Sequence, residues 1–288
     1  MIKRILVALD VDTDTPIAVN HAIKLAKTFD ASITGLAVVD SSNIAANVGG
    51  DAIGATYYPD YYLEDLGKHM AEEAREEAGK LLENFDEMTK KAGVKNVQIM
   101  EEGVPYQRII EDLKYHDLLV IGRESHFFYN QPETETNTLE DIVKKATAPT
   151  LVATDSYREV ERVAIAHDGS SASARALQWF VQLEPYGKDI DIDIIHVCDL
   201  NHQTTVDNSK LLLHLVRDYL KAHEYPKINE QLLEKGDTDL RIIDYVKENS
   251  VDLVIMGAHS VSALRRLTFG STTHELVKNS PVPLFLSR

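Results

Sequence analysis

The residues from 257 to 272, GAHSVSALRRLTFGST, follow the apolar run VDLVIM and lead into TTHELVKNS, a helix-like stretch. A glycine directly after a strand lets a ligand approach the backbone closely. A helix beginning after Gly270 presents free N–H groups and the positive end of its dipole to an anion. Arg265 and Arg266 add positive charge. Thr272 and Glu275 have the T-x-x-E spacing of a capping box, which would fix the helix start. These residue types suit the phosphates of a nucleotide. The plainer alternative is a surface loop that needs two glycines to turn.

Other signals are weaker. The run DVDTDT, 10–15, suggests a calcium loop, but Thr15 stands where glycine is needed and His21 where glutamate is needed. It also resembles the D-x-D of haloacid dehalogenase phosphatases. Those want Thr or Val two residues past the second Asp, where Asp14 stands, and HDGS in the second half has no second Asp. A strand end with an Asx-type turn is the simpler reading. The eleven histidines show no metal spacing, and no metal-binding residues are assigned. His167 and His259 fall near the loop, and His259 is a candidate ligand contact. No Ser-His-Asp or Cys-His arrangement can be placed, so no catalytic residue is assigned. Cys198 lies in the apolar DIIHVCDL and reads as a small buried hydrophobe.

The chain of 288 residues carries 30 Lys+Arg against 46 Asp+Glu, a formal charge of −16. Such a charge repels DNA and anionic membranes, so neither nucleic acid nor membrane is an expected partner. One cysteine permits no internal disulfide and fits a reducing compartment. MIKRILVALD turns acidic too early for a signal peptide, and no apolar run nears the ~20 residues of a membrane span. The expected location is cytoplasmic.

The elements that must position the loop occur twice. RILVALD, Arg4 to Asp10, matches RVAIAHD, Arg162 to Asp168. Gly103 and Gly236 each stand five residues before an Arg-Ile-Ile, and each is followed later by Asp-Leu and an apolar run closing on Gly122 or Gly257. Thr138 to Pro149 repeats as Thr272 to Pro283. The chain is therefore a tandem duplication, 1–154 and 160–288, joined near Thr154 to Glu161. Each copy alternates apolar strands with helical patterns, which implies a doubly wound parallel sheet with helices on both faces. The long helix of the first copy is expected from Leu66 to Gly93, and that of the second from Ser209 to Glu224. An insertion, 41–65, with Tyr57, Tyr58, Tyr61 and Tyr62, interrupts the first copy as a flap or packing arm.

The loop resembles the G-x2-G-x9-G-[ST] signature of the universal stress protein family, and the whole chain looks like a tandem member. The resemblance implies a flavodoxin-like sandwich in each half, with ATP-binding relatives holding adenine near the first two strands and phosphates in the loop. It places Asp168 and Val197 on the adenine side. Gly257, Ser260, Gly270, Ser271 and Thr272 would cradle ribose and phosphates, with Arg265 beside them. Ser260 departs from the family glycine, and its Cβ restricts backbone approach. In the first copy the equivalent stretch is GRESHFFYNQPETETNT, 122–138. It keeps Gly122, has Ser125 and Asn137 at motif places, and carries Glu124, Glu133 and Glu135 with only Arg123 positive. A degenerate site with Asp10, Gly122, Ser125 and Asn137 is expected, poor for phosphates. Its helix start carries Thr138-x-x-Asp141, a second capping-box spacing.

The reading is a stress-response regulatory protein whose second copy binds ATP or another adenine nucleotide with Mg²⁺ and hydrolyses it slowly at most. The alternatives are an interaction scaffold that binds no nucleotide and, behind it, a phosphohydrolase using Asp10. Family resemblance further implies that the last strands pair the two halves into an intrachain pseudo-dimer, which is compatible with a homodimer of whole chains.

Overall fold

A computed structural model describes residues 1–11, 13–40, 44, 60–123, 138–258 and 271–288, without the side chains of 60–64. The first repeat contains β1 (Arg4–Leu9), α1 (Thr15–Phe29), β2 (Ser32–Val39), α2 (Asp60–Ala92) and β3 (Asn96–Glu102). It continues with α3 (Pro105–Leu113), β4 (Leu118–Gly122), α4 (Thr138–Lys145) and β5 (Thr150–Ala153). The second repeats the order as β6 (Arg162–Ala166), α5 (Ser171–Leu183), β7 (Asp191–Cys198), α6 (Gln203–Ala222) and β8 (Ile228–Glu234). It ends with α7 (Thr238–Glu248), β9 (Leu253–Gly257), α8 (Ser271–Asn279) and β10 (Leu284–Ser287).

All ten strands form one sheet, in the order β3-β2-β1-β4-β5-β10-β9-β6-β7-β8. Within each repeat the strands are parallel, and the repeats meet where β5 pairs antiparallel with β10, Leu151 opposite Phe285. The expected pairing of the last strands is present within the one chain. Strand order reverses between β1 and β4 and between β6 and β9, the places where ligands sit in such sheets.

The bare apolar strands are explained by burial on both faces. One face packs α1, α2, α5 and α6 through Phe85, Phe180 and Phe285; the other packs α3, α4, α7 and α8 through Ile109, Ile142 and Leu276. Each apolar cluster runs through both repeats. Along α2, Ala74, Ala78, Leu82 and Phe85 recur at three- and four-residue spacing and are buried. The long helices begin earlier than expected, at Asp60 and Gln203. The polar openings of both helices lack the apolar periodicity from which the boundaries were read.

The repeated sequence features have structural reasons. Asp117 accepts the N–H groups of Lys3 and Arg4 at 2.7 and 2.9 Å, and Asp252 accepts those of Glu161 and Arg162 at 3.0 Å each. Each Asp-Leu thus ties a strand start to its neighbour. At Gly103 and Gly236 an added Cβ would lie 2.8 Å from Nε of Arg108 and Arg241 respectively, so the glycine makes room for the arginine five residues on.

The connection between repeats docks on α1. Tyr157 packs on His21 with ring centroids 4.8 Å apart, and Glu159 pairs with Lys24 at 2.8 Å. His21 is buried with Nε2 lacking a hydrogen-bond partner among the described residues, and burial lowers its pKa to about 4 against the pull of Glu159. Folding therefore favours the neutral ring. Stability is full above the unfolded value near 6.5 and falls as pH drops towards 4, by roughly 3 kcal/mol at full effect. We expect His21→Phe, which keeps a ring against Tyr157, to lose about 2 kcal/mol less than the native chain between pH 7 and 4.5 in urea unfolding. Equal losses in the two proteins would remove His21 as the titrating group.

Candidate functional site

At the carboxyl ends of β6, β7 and β9 the sheet opens into a cleft of about 250 Å³. Its apolar wall comes from Ala166, Ile195, Val197, Ile242 and Met256. Its polar rim comes from His167, Asp168 and His196 on one side and from Thr238, Ser271 and Thr272 on the other. Thr238 opens α7, and Ser271 and Thr272 open α8, so two helix N-termini border the cleft. An apolar slot with polar groups at one end suits a flat ring carrying a polar or anionic arm.

Asp168 follows β6 and is exposed to solvent inside the cleft. Surrounding protein opposes its charge, but hydrogen bonds from Ser170 and Ser173 win and hold the carboxyl below its ordinary pKa. The Ser170 N–H donates to Oδ1 at 2.9 Å, an Asx-type turn. Ser170 in turn caps α5 by accepting from the Ser173 N–H at 3.1 Å. Asp168 is thus fixed as an ionised acceptor at the start of α5. His167 is buried and its pKa is lowered, by burial first and by His196, while Asp168 opposes the shift.

Two expectations for this half change. Gly257 was read as room for a ligand. Its missing Cβ instead makes room for α5: a Cβ there would lie 2.5 Å from the backbone of Ala172 and Ser173. The expected capping box is also absent. Thr272 already lies within α8, and Glu275 accepts from Asn279 at 3.1 Å. The structure brings Asp168, Val197, Gly257, Ser271 and Thr272 together around the cleft. His259, Ser260, Arg265 and Gly270 lie outside the described residues.

A model of the universal stress protein family matches residues 1–154 and again 159–288. The chain belongs to the universal stress protein family. A universal stress protein of Synechocystis is 25% identical over 253 residues, 87% of this chain and 84% of the relative. One from Methanocaldococcus jannaschii is 30% identical over 159 residues, 54% of this chain and 85% of the relative. The crystal structure of a universal stress protein from Archaeoglobus fulgidus superposes over 99% of this chain and 96% of its own, with a TM-score of 0.61 at 18% identity. That likeness extends the tandem universal stress fold across both repeats.

In this tandem universal stress protein the two halves have diverged at the same place. Asp10 follows β1 and is fully buried, and its Oδ1 accepts the Val11 N–H at 2.8 Å. The buried Asp14 reaches across to accept the N–H of Arg123 at 2.5 Å and covers the face of Gly122. In the second half Ala172 and Ser173 pack over Gly257 instead, and the N–H after it, on Ala258, bonds to Ser287 at 2.8 Å. Arg123 was read as the single positive charge of the first loop. Its guanidinium instead leaves that loop for the other repeat, donating to the carbonyls of Lys278 and Ser280 at 3.4 and 3.3 Å and pairing with Asp155. The expected box at Thr138 is likewise not formed: Thr138 already lies within α4, and Asp141 faces Lys144 at 3.9 Å. Ser125, Asn137, Tyr57 and Tyr58 lie outside the described residues, as do the side chains of Tyr61 and Tyr62.

Sequence reading missed His196, Ser173 and Thr238. His196 sits in a strand read only as apolar. The duplication could have pointed to Thr238, because the segment from Gly236 aligns with that from Gly103 and ends a strand at the same edge. Among the described residues no helix is long and apolar enough to cross a membrane.

Proposed function

We propose that the second repeat binds an adenine nucleotide, ATP or AMP, and that the bound state alters conformation or assembly as a stress-response signal in the cytoplasm. The observation that carries this reading is the cleft at the strand-order reversal, with its apolar wall, the ionised Asp168 and Ser271 and Thr272 of α8 on its rim. The base fits against Ile195, Val197 and Met256, and Asp168 accepts from the adenosine side. Phosphates lie toward Ser271 and Thr272. Serine and threonine hydroxyls suit phosphate oxygens and a hydrated Mg²⁺, which would be held mainly through the phosphates. Each repeat, 1–154 and 160–288, forms a domain, and the first serves as structural partner. With Asp10 sealed from solvent, a phosphohydrolase built on it is disfavoured, and any hydrolysis is slow.

Calorimetric titration of ATP and of AMP with Mg²⁺ into the intact protein tests this, beside Gly270→Asp, which sets a carboxylate next to the start of α8. The expected result is one site per chain, lost in the variant. Two sites would return the first repeat to ligand binding. No heat, and no nucleotide released on denaturation, would favour a scaffold that works through its surface alone.

A further inference from the structure

We propose that His167 and His196 read the base in this cleft as a donor–acceptor pair matched to an amino-purine edge. The inference rests on the nucleotide reading above and assigns the chemistry that selects one base over another.

The tautomers follow from partners that can play only one role. Nδ1 of His196 lies 2.8 Å from the carbonyl oxygen of His167. A carbonyl only accepts, so this Nδ1 carries a proton, and with one proton on the ring Nε2 holds a lone pair. Nδ1 of His167 lies 3.2 Å from the N–H of Gly169, which only donates. That Nδ1 is therefore bare, and the proton of the neutral ring sits on Nε2. The direction of the His167 pKa, lowered mainly by burial, supports the neutral ring.

Both residues line the cleft. Neither Nε2 has a protein partner among the described residues. His167 is only 6% exposed, and the surface it keeps lies on the cleft. The two rings are locked together, since His196 is anchored on the backbone of His167. Because both side chains line the cleft, the pair offers a ligand one N–H and one lone pair.

Adenine carries the complement on its edge. A ring nitrogen accepts from Nε2–H of His167, and the exocyclic amino group donates to Nε2 of His196. Hypoxanthine replaces that amino group with an oxygen, which would set two lone pairs against each other at His196. A buried unpaired acceptor of this kind corresponds to about tenfold or more in affinity.

The test compares ATP with ITP, which differ at that group, by calorimetric titration with Mg²⁺ at pH 7.5. The native chain is expected to bind ATP about tenfold or more tightly than ITP. In His196→Asn the side-chain amide stands near the old Nδ1 and still donates to the His167 carbonyl, but nothing replaces Nε2. This variant should fold with an unchanged melting temperature and bind ATP and ITP alike. His196→Gln, whose amide oxygen stands near the old Nε2, should retain part of the preference. Equal binding of ATP and ITP by the native chain would overturn the pair as a reader while leaving the nucleotide site in place. An undiminished preference in His196→Asn would do the same. Absence of binding by both nucleotides would overturn the site and this inference together.

Discussion

Gly257→Ala will cost the protein about 2 kcal/mol and, on the nucleotide reading proposed above, most of its affinity for ATP. The added methyl would lie 2.5 Å from the carbonyl carbon of Ala172 and the nitrogen of Ser173, and neither backbone atom can rotate away. Relief requires the first turn of α5 to move. That turn carries the Ser170 cap, which donates to Asp168, so the same displacement releases the carboxylate at the cleft. The check is a thermal melt together with an ATP titration. Gly79→Ala is the control: it lies within α2 with open space around it, and alanine is the better helix former, so it should be neutral or stabilising by about 0.5 kcal/mol. A Gly257→Ala protein as stable as the native chain, with full ATP affinity, would show that α5 yields without cost.

The largest stability effect should come from Phe285→Ala, about 3–5 kcal/mol. Phe285 is fully buried on β10, edge-on to Phe180 with centroids 6.2 Å apart, and sits opposite Leu151 across the seam. The apolar cluster around it includes Val7 and Leu151 of the first repeat and Phe180 and Ile255 of the second. The cavity therefore weakens both repeats at once. Urea unfolding should show one transition displaced to lower denaturant, with Phe285→Leu falling between native and alanine. Two separated transitions, with the first repeat unaffected, would mean that the shared core does not couple the halves.

The duplication, the alternation of strand and helix and the pairing of the last strands were legible in the sequence because each leaves a periodic or repeated mark. The bare apolar strands reported burial on both faces, and the paired glycines before Arg108 and Arg241 reported a repeated turn. Features set by distant neighbours left no such mark. Gly257 is required by α5, more than eighty residues earlier in the chain. Arg123 bonds to the carbonyls of Lys278 in α8 and of Ser280 just after it, and nothing local to it distinguishes that role from phosphate binding. His196 reads like any residue of a buried strand until its Nδ1 is seen on the backbone of β6's end. The capping-box spacings at Thr138 and Thr272 misled because each threonine is already part of its helix and so does not stand in front of it as a cap.

The β5–β10 seam has a consequence for how the two repeats can differ. Halves supplied by separate chains would fall apart on dilution, and each would need to match an identical copy of itself. Here one covalent chain supplies both sides, so their encounter is intramolecular and the seam persists at any protein concentration. Self-complementarity is no longer required, and each side answers only to a partner encoded with it. That freedom accommodates Arg123, which reaches from one half to the carbonyls of Lys278 and Ser280 with no reciprocal arginine, the counterpart after Gly257 being Ala258. The antiparallel seam also turns the two carboxyl-terminal strand edges in opposite directions. A ligand in the second repeat would therefore sit at the opposite rim of the sheet from the place where Asp14 covers Gly122.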